Sequence, residues 1–204
     1  MLYDISPPLI EALAVWPGDV PLRREVQSEL EQGATSTTSN FRATAHLGAH
    51  ADAPSHVRRG SPSIEAVPLE TYLGPCQVVR VSVRPRSQVR PADLPALSPA
   101  PRVLIATGTY PDVNRFDESF AGLAPELIEH LADRGVLLIG TDTPSVDVYD
   151  AEDLPAHRTC VRRGVAILEG LVLSGVPEGE YELIALPLRF VGFDASPVRA
   201  VLRD

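Results

Sequence analysis

The sequence predicts an α/β fold in one domain, 1–204, and three observations carry that prediction. Apolar runs, most of them rich in β-branched residues, recur along the chain as buried strands do. A segment with apolar residues at helical spacing lies among them, and no linker, repeat or low-complexity tract divides the 204 residues. A chain of that length buries about 70% of the surface its unfolded form exposes, enough for a real core.

The strand candidates are CQVVRVSV (76–83), RVLIAT (102–107), GVLLIG (135–140) and YELIALPL (181–188), which together suggest a central sheet. In LAPELIEHLADRG, Leu123, Leu127, Ile128 and Leu131 share one helical face, Pro125 suits a first turn and Gly135 a C-terminal cap. RRGVAILEGLVLSG, from Arg162 to Gly175, reads as a second helix, apolar nearly all round except at Glu169. PLETYLGP and RPADLPALSPAPR read as surface connections, and the N-terminal third as irregular β structure. Twenty prolines, about twice the usual ~5% share, predict short elements and many turns.

Charge narrows the partners. A formal net charge of -9 without a basic stripe argues against nucleic acid and anionic membrane surfaces. No run reaches the length of a membrane span, and MLYDISPPLI lacks the features of a secretion signal, so a cytoplasmic protein is expected. Cys76 and Cys160 belong to no C-x-x-C pair and read as buried thiols.

The stretch HLGAHADAPSH (46–56) holds three of the five histidines, in a composition poor for either helix or strand. His46, His50, Asp52 and His56 would leave one side of an extended backbone, but ten extended steps span about 33 Å, and metal ligands must each come within about 2.2 Å of an ion. The chain must curl, and Gly48 and Pro54 could let it. Imidazole with carboxylate and no thiolate suits a catalytic zinc, manganese or iron better than a structural thiolate site. The alternative for these residues is a polar loop whose histidines satisfy backbone groups.

Local ligands leave the shell incomplete, and His157 and Glu169 are the downstream candidates. A glutamate among apolar residues is costly to bury as a free charge but not beside a cation. Read alone, Glu169 is equally a partly exposed residue of a surface helix, and His157, in AEDLPAHRTC, a surface histidine. His130 sits near a helix C-terminus, where positive charge is welcome, and reads as structural.

HLGAHADAPSH resembles the H-x-G-[TA]-H-x-D-x-P-x-H signature of the cyclase-like metal-dependent hydrolases, and more closely their bacterial kynurenine formamidase branch. The resemblance extends through AVWPGDVP (14–21), VPLETYLGPC (67–76), GTDTPSVD (140–147) and AILEGLVLSGVPEGEYELIALPLR (166–189). It implies a single cyclase-like domain of swivelling β/β/α type, with a central mixed, barrel-like sheet flanked by helices, and two Zn2+ per subunit. His46, His50 and Asp52 would hold the first ion and His157 the second, with Asp52 and Glu169 bridging. His56 would be the proton donor and acceptor, and Trp16 would line the substrate pocket. Trp16 read without the resemblance is a core or dimer-contact aromatic. Ala49 replaces the wider family's usual threonine, in keeping with the formamidase branch, and Val57 and Arg58 follow His56 where an aromatic residue is common.

The implied reaction belongs to tryptophan degradation through kynurenine. On that resemblance, zinc-bound hydroxide would hydrolyse N-formyl-L-kynurenine to L-kynurenine and formate, and His56 would pass a proton to the departing nitrogen. The resemblance also implies a homodimer. A serine-hydrolase route lacks the G-x-S-x-G elbow it would need. The remaining rivals are a related hydrolase opening a cyclic amide such as isatin, which would share the metal shell, and a non-catalytic zinc-binding protein, in which a base at His56 would have no purpose.

Overall fold

The computed structural model describes residues 1–204. Its strands are β1 (Leu2–Asp4), β2 (Arg23–Ser28), β3 (Thr38–Arg42), β4 (His50–Asp52), β5 (Leu73–Arg80), β6 (Gln88–Val89), β7 (Arg102–Ala106), β8 (Gly122–Leu123), β9 (Leu138–Thr141), β10 (Ala166–Glu169), β11 (Gly179–Ile184), β12 (Ala195–Pro197) and β13 (Val201–Arg203). Two α-helices, α1 (Pro125–Asp133) and α2 (Pro155–Arg163), complete the framework with short 3-10 turns.

Nine strands form one curled sheet in the order β1-β13-β11-β5-β7-β9-β10-β4-β12. The central neighbours β5, β7, β9 and β10 run parallel, and the flanking pairs are antiparallel, so the sheet is mixed. The four predicted strand runs supply β5, β7, β9 and β11. β7 and β9 are buried throughout, because both faces of the sheet are covered there, whereas β5 and β11 keep half-exposed positions. Val79, Val103, Ile105, Ile139 and Ile167 pack with Leu127, Ile128 and Leu131 of α1 and Ala156 and Cys160 of α2. On the opposite face Val78, Leu104, Leu138 and Leu168 pack with Ile5, Ala51, Tyr72, Leu171 and Leu202. Both cysteines are free and buried, as the sequence predicts.

The predicted helix over 123–135 is α1, with Pro125 in its first turn and Gly135 at φ +84° just beyond its end. The second predicted helix, 162–175, is not one. Its residues 166–169 form β10, while α2 lies earlier, from Pro155 to Arg163, and ends on Gly164 at φ +68°. An all-round apolar segment suits a strand covered on both faces as well as a buried helix, and here Gly164 and Gly170 leave only a short run between them. Glu169 is therefore the last residue of a strand.

The N-terminal third is irregular β structure, as expected. Its hairpin β2–β3 forms a separate two-stranded sheet that is almost wholly exposed. The motif stretch crosses from loop to strand to 3-10 turn. Gly48 takes φ +60° before β4, and Pro54 opens the turn Pro54–His56 after it. These are the two residues that the sequence offers for the chain to curl.

Candidate active site

The β4–β10 seam sets the site. The two strands pair antiparallel with His50 opposite Glu169 and Asp52 opposite Ile167. Two-residue periodicity puts His50 and Asp52 on one face of β4, and the register carries Glu169 to the same place. The seam closes tightly because Gly170, at φ +66°, follows Glu169: a Cβ there would lie 2.2 Å from the carbonyl oxygen of Gly48. His157 arrives from the first turn of α2, facing the sheet, and is buried. The surface-histidine reading of His157 is thus overturned, and so is the partly exposed surface-helix reading of Glu169, which is only 3% exposed.

The polar atoms converge. His157 Nε2 lies 3.2 Å from both Asp52 Oδ2 and Glu169 Oε1, and His50 Nε2 lies 3.2 Å from Glu169 Oε2 and 3.5 Å from Asp52 Oδ1. His46, in the loop before Gly48, places Nδ1 3.1 Å from Asp52 Oδ1 and Nε2 3.1 Å from Asp194 Oδ2. The ring of His56 stands beside that of His46, with centroids 4.5 Å apart, and its Nδ1 is 3.5 Å from Asp194 Oδ2. Two sets of three side chains bring candidate ligand atoms within 4.8 Å of one another: His46, Asp52 and His56, and His50, Asp52 and Glu169. Asp52 belongs to both.

Outer contacts fix two of the rings. His50 Nδ1 donates to the carbonyl of Gly48 at 2.8 Å, which leaves Nε2 free to face the carboxylates. His157 Nδ1 lies 2.7 Å from Asp147 Oδ2 with the same effect. Glu169 Oε1 accepts a hydrogen bond from the backbone N–H of Val146 at 2.6 Å.

This cluster is electrostatically demanding. Burial alone would raise the Asp52 carboxyl, but the imidazoles of His157, His46 and His50 hold it well below the usual carboxylate range. Burial likewise disfavours a charged His46, yet the carboxylates of Asp52 and Asp194 outweigh it and raise its pKa to about 9. His157 is raised for the same reason, against burial, by Glu169, Asp147 and Asp52.

The residues fit a bound cation. His50 Nε2 and both carboxylate oxygens of Asp52 are buried without a hydrogen-bond partner, since their close approaches are at ion-pair distance but not directed as hydrogen bonds. Buried groups of this kind require a partner, and imidazole nitrogens with carboxylate oxygens are the donor set of zinc, manganese or iron.

A cavity of about 420 Å³ opens onto the cluster, lined at its inner end by His46, His50, His56, His157 and Glu169. Its outer wall is aromatic. Trp16 stacks at a tilt on Tyr149, with centroids 5.2 Å apart, and meets the edge of Phe116 at 5.4 Å. Trp16, Tyr110 and Phe116 all line the cavity. Sequence reasoning missed Tyr110 and Phe116, along with Asp142, Asp147 and Asp194. The aromatic pair lies in a loop without periodicity, and nothing in the sequence around Asp194 distinguishes it from an ordinary surface aspartate.

Comparisons with known proteins agree with this architecture. Residues 3–148 match the family model Cyclase, described as "Putative cyclase". The chain is 44% identical over 209 residues to the kynurenine formamidase of Bordetella petrii, covering 100% of this chain and 98% of that one. Among solved structures, the "predicted metal-dependent hydrolase" of Bacillus stearothermophilus superposes with a TM-score of 0.83 at 30% identity, over 99% of this chain and 97% of the other. Isatin hydrolase A of Labrenzia aggregata shares the fold, with a TM-score of 0.81 at 23% identity over 99% and 93% of the two chains. With nearly three quarters of its length matched by the family model and its whole length by a curated relative, the protein belongs to the cyclase family, alongside bacterial kynurenine formamidase.

Proposed function

We propose that this protein is a kynurenine formamidase: a metal-dependent amidohydrolase that cleaves N-formyl-L-kynurenine to L-kynurenine and formate, in tryptophan degradation through kynurenine. The observation that carries the metal chemistry is Asp52, a buried carboxylate shared by two candidate ligand sets with neither oxygen hydrogen-bonded. The substrate assignment rests on the end-to-end likeness to the Bordetella petrii enzyme.

In this reading His46, His50, Asp52, His157 and Glu169 would hold two zinc ions. When bound, they supply Lewis-acid activation of water and of the formyl carbonyl. The chain's own residues do the rest. Trp16, Tyr110 and Phe116 offer a flat apolar wall that fits the aryl ring and orients the formamide towards the cluster. His56, 28% exposed by its side chain where the cavity meets the cluster, transfers a proton to the departing aniline nitrogen. Asp194, beside both His46 and His56, holds these two rings in place.

A second reading makes His56 a ligand, and its place with His46 and Asp52 in one candidate set favours it. The decisive experiment on the main reading combines metal analysis with a substrate panel. Purified protein should carry close to two zinc ions per chain, lose activity to a strong chelator, and prefer formylkynurenine over isatin and simple formamides. Full activity without metal would overturn the mechanism, and a preference for isatin would overturn the substrate while leaving the metal site standing.

A further inference from the structure

Asp147 is a wholly buried carboxylate with no part in the chemistry just described. It sits in the segment between β9 and α2, and the surrounding backbone pins it. Leu123 N–H donates to the carbonyl of Val146 at 2.6 Å, and a Cβ on Gly122 would lie 2.6 Å from Val148 N, so β8 presses directly against this turn. From there Asp147 reaches the first turn of α2. Its Oδ1 accepts from Ala156 N–H at 2.8 Å, and its Oδ2 accepts from His157 N–H at 3.1 Å and from His157 Nδ1–H at 2.7 Å.

We propose that Asp147 is the positioning residue of the second metal site: it fixes the His157 ring with its proton on Nδ1, so that the Nε2 lone pair points between Asp52 and Glu169. This inference rests on the metal-dependent reading above. The same carboxylate caps α2, whose N-cap residue Leu154 makes no side-chain cap hydrogen bond, so the helix start and the ring orientation are set by one group. Val146 next to it donates to Glu169, and one short segment therefore places two of the ligands that meet at Asp52. A carboxylate on the far nitrogen of a ligating imidazole selects the tautomer and strengthens the donor.

All three of these hydrogen bonds need an oxygen on the Asp147 side. An asparagine of the same shape must put an NH2 group either against Ala156 N–H or against both donors of His157. Asp147→Asn should therefore weaken retention of one of the two zinc ions by roughly 10–100-fold in chelator competition, the usual effect of losing such a partner. The other ion, which shares Asp52, should be weakened far less, and the absorption spectrum of the cobalt-substituted protein should change most for the ion that His157 holds. A purely structural cap would lower thermal stability without this selective loss. Unchanged affinity for both ions overturns the proposal. Wild-type protein that binds no metal overturns it together with the reading beneath it. Should the variant fail to fold, nitrogen NMR of zinc-loaded wild-type protein gives the same decision: a proton on Nδ1 of His157 is expected, and a proton on Nε2 overturns the assignment.

Discussion

His56 lines both the 420 Å³ cavity and a second one, behind the cluster, that Asp52, Tyr72 and His157 also line, and its two readings separate cleanly by mutation. As a proton-transfer group it should be dispensable for metal: His56→Ala is expected to keep its zinc while kcat falls by roughly 10² or more. Loss of zinc in that variant would make it a ligand. His46 yields a pH prediction. With its folded pKa raised from 6.5 to about 9, the metal-free protein gains stability from the protonated ring that is fully present below pH 6.5 and lost as pH rises through 9. Metal competes for the same nitrogens, so uptake at pH 7 should release protons, read with an indicator dye, and apparent affinity should climb with pH. A pH-independent affinity between 6.5 and 9 would count against His46 as a ligand. The three histidines and Asp52 were legible as a group because they crowd one short stretch. Asp194 was not, because only the fold brings it beside His46.

At the scale of elements, the seam between β4 and β10 admits a direct test. Gly170→Ala forces a left-handed residue to carry a Cβ that collides with the Gly48 carbonyl. The variant should lose about 2 kcal/mol or more of stability and bind metal poorly, because His50 and Glu169 can no longer face each other. Wild-type Tm and zinc content would show that the seam tolerates opening. On the opposite wall, Trp16→Ala should raise KM for N-formyl-L-kynurenine more than it lowers kcat, since packing on the ring is felt equally in ground and transition states. Zinc content should not change. The central strands were legible from continuous apolar runs, yet the same signal misassigned 162–175 to a helix. Burial on both faces erases the periodicity that distinguishes the two, and the glycines at 164 and 170 were the better guide. The His157 helix went unseen because its buried face is small and polar, Ala156, His157, Thr159 and Cys160, rather than an apolar stripe.

Over the whole molecule, the cluster joins parts of the chain that composition treats as unrelated: the motif stretch, the first turn of α2 and the end of β10. Stripping the metal should therefore loosen the fold as well as stop the reaction. Free metal at about 100 times its Kd stabilises the native state by about 2.7 kcal/mol, so chelator-treated protein should melt roughly 5–10 °C lower, with recovery on adding zinc back. Coincident melting curves would mean that the ion adds nothing to stability. The central sheet was legible from its apolar runs, while its mixed, curled form came only from the family resemblance. Its strand order was not legible, since β4 joins the sheet beside β10 from far away along the chain.

That β4–β10 pairing also dictates a sequence of events in time. His50 and Glu169 lie more than one hundred positions apart, and contacts of such long range form late because the loop between them must close first. A chain still emerging from the ribosome has its histidine-rich stretch exposed long before residue 169 exists, and the complete ligand cluster cannot arise until that residue has been made. If the cluster binds metal as proposed, capture should follow closure of the β4–β10 seam, and in refolding experiments zinc binding should appear as a separate phase, slower than sheet formation.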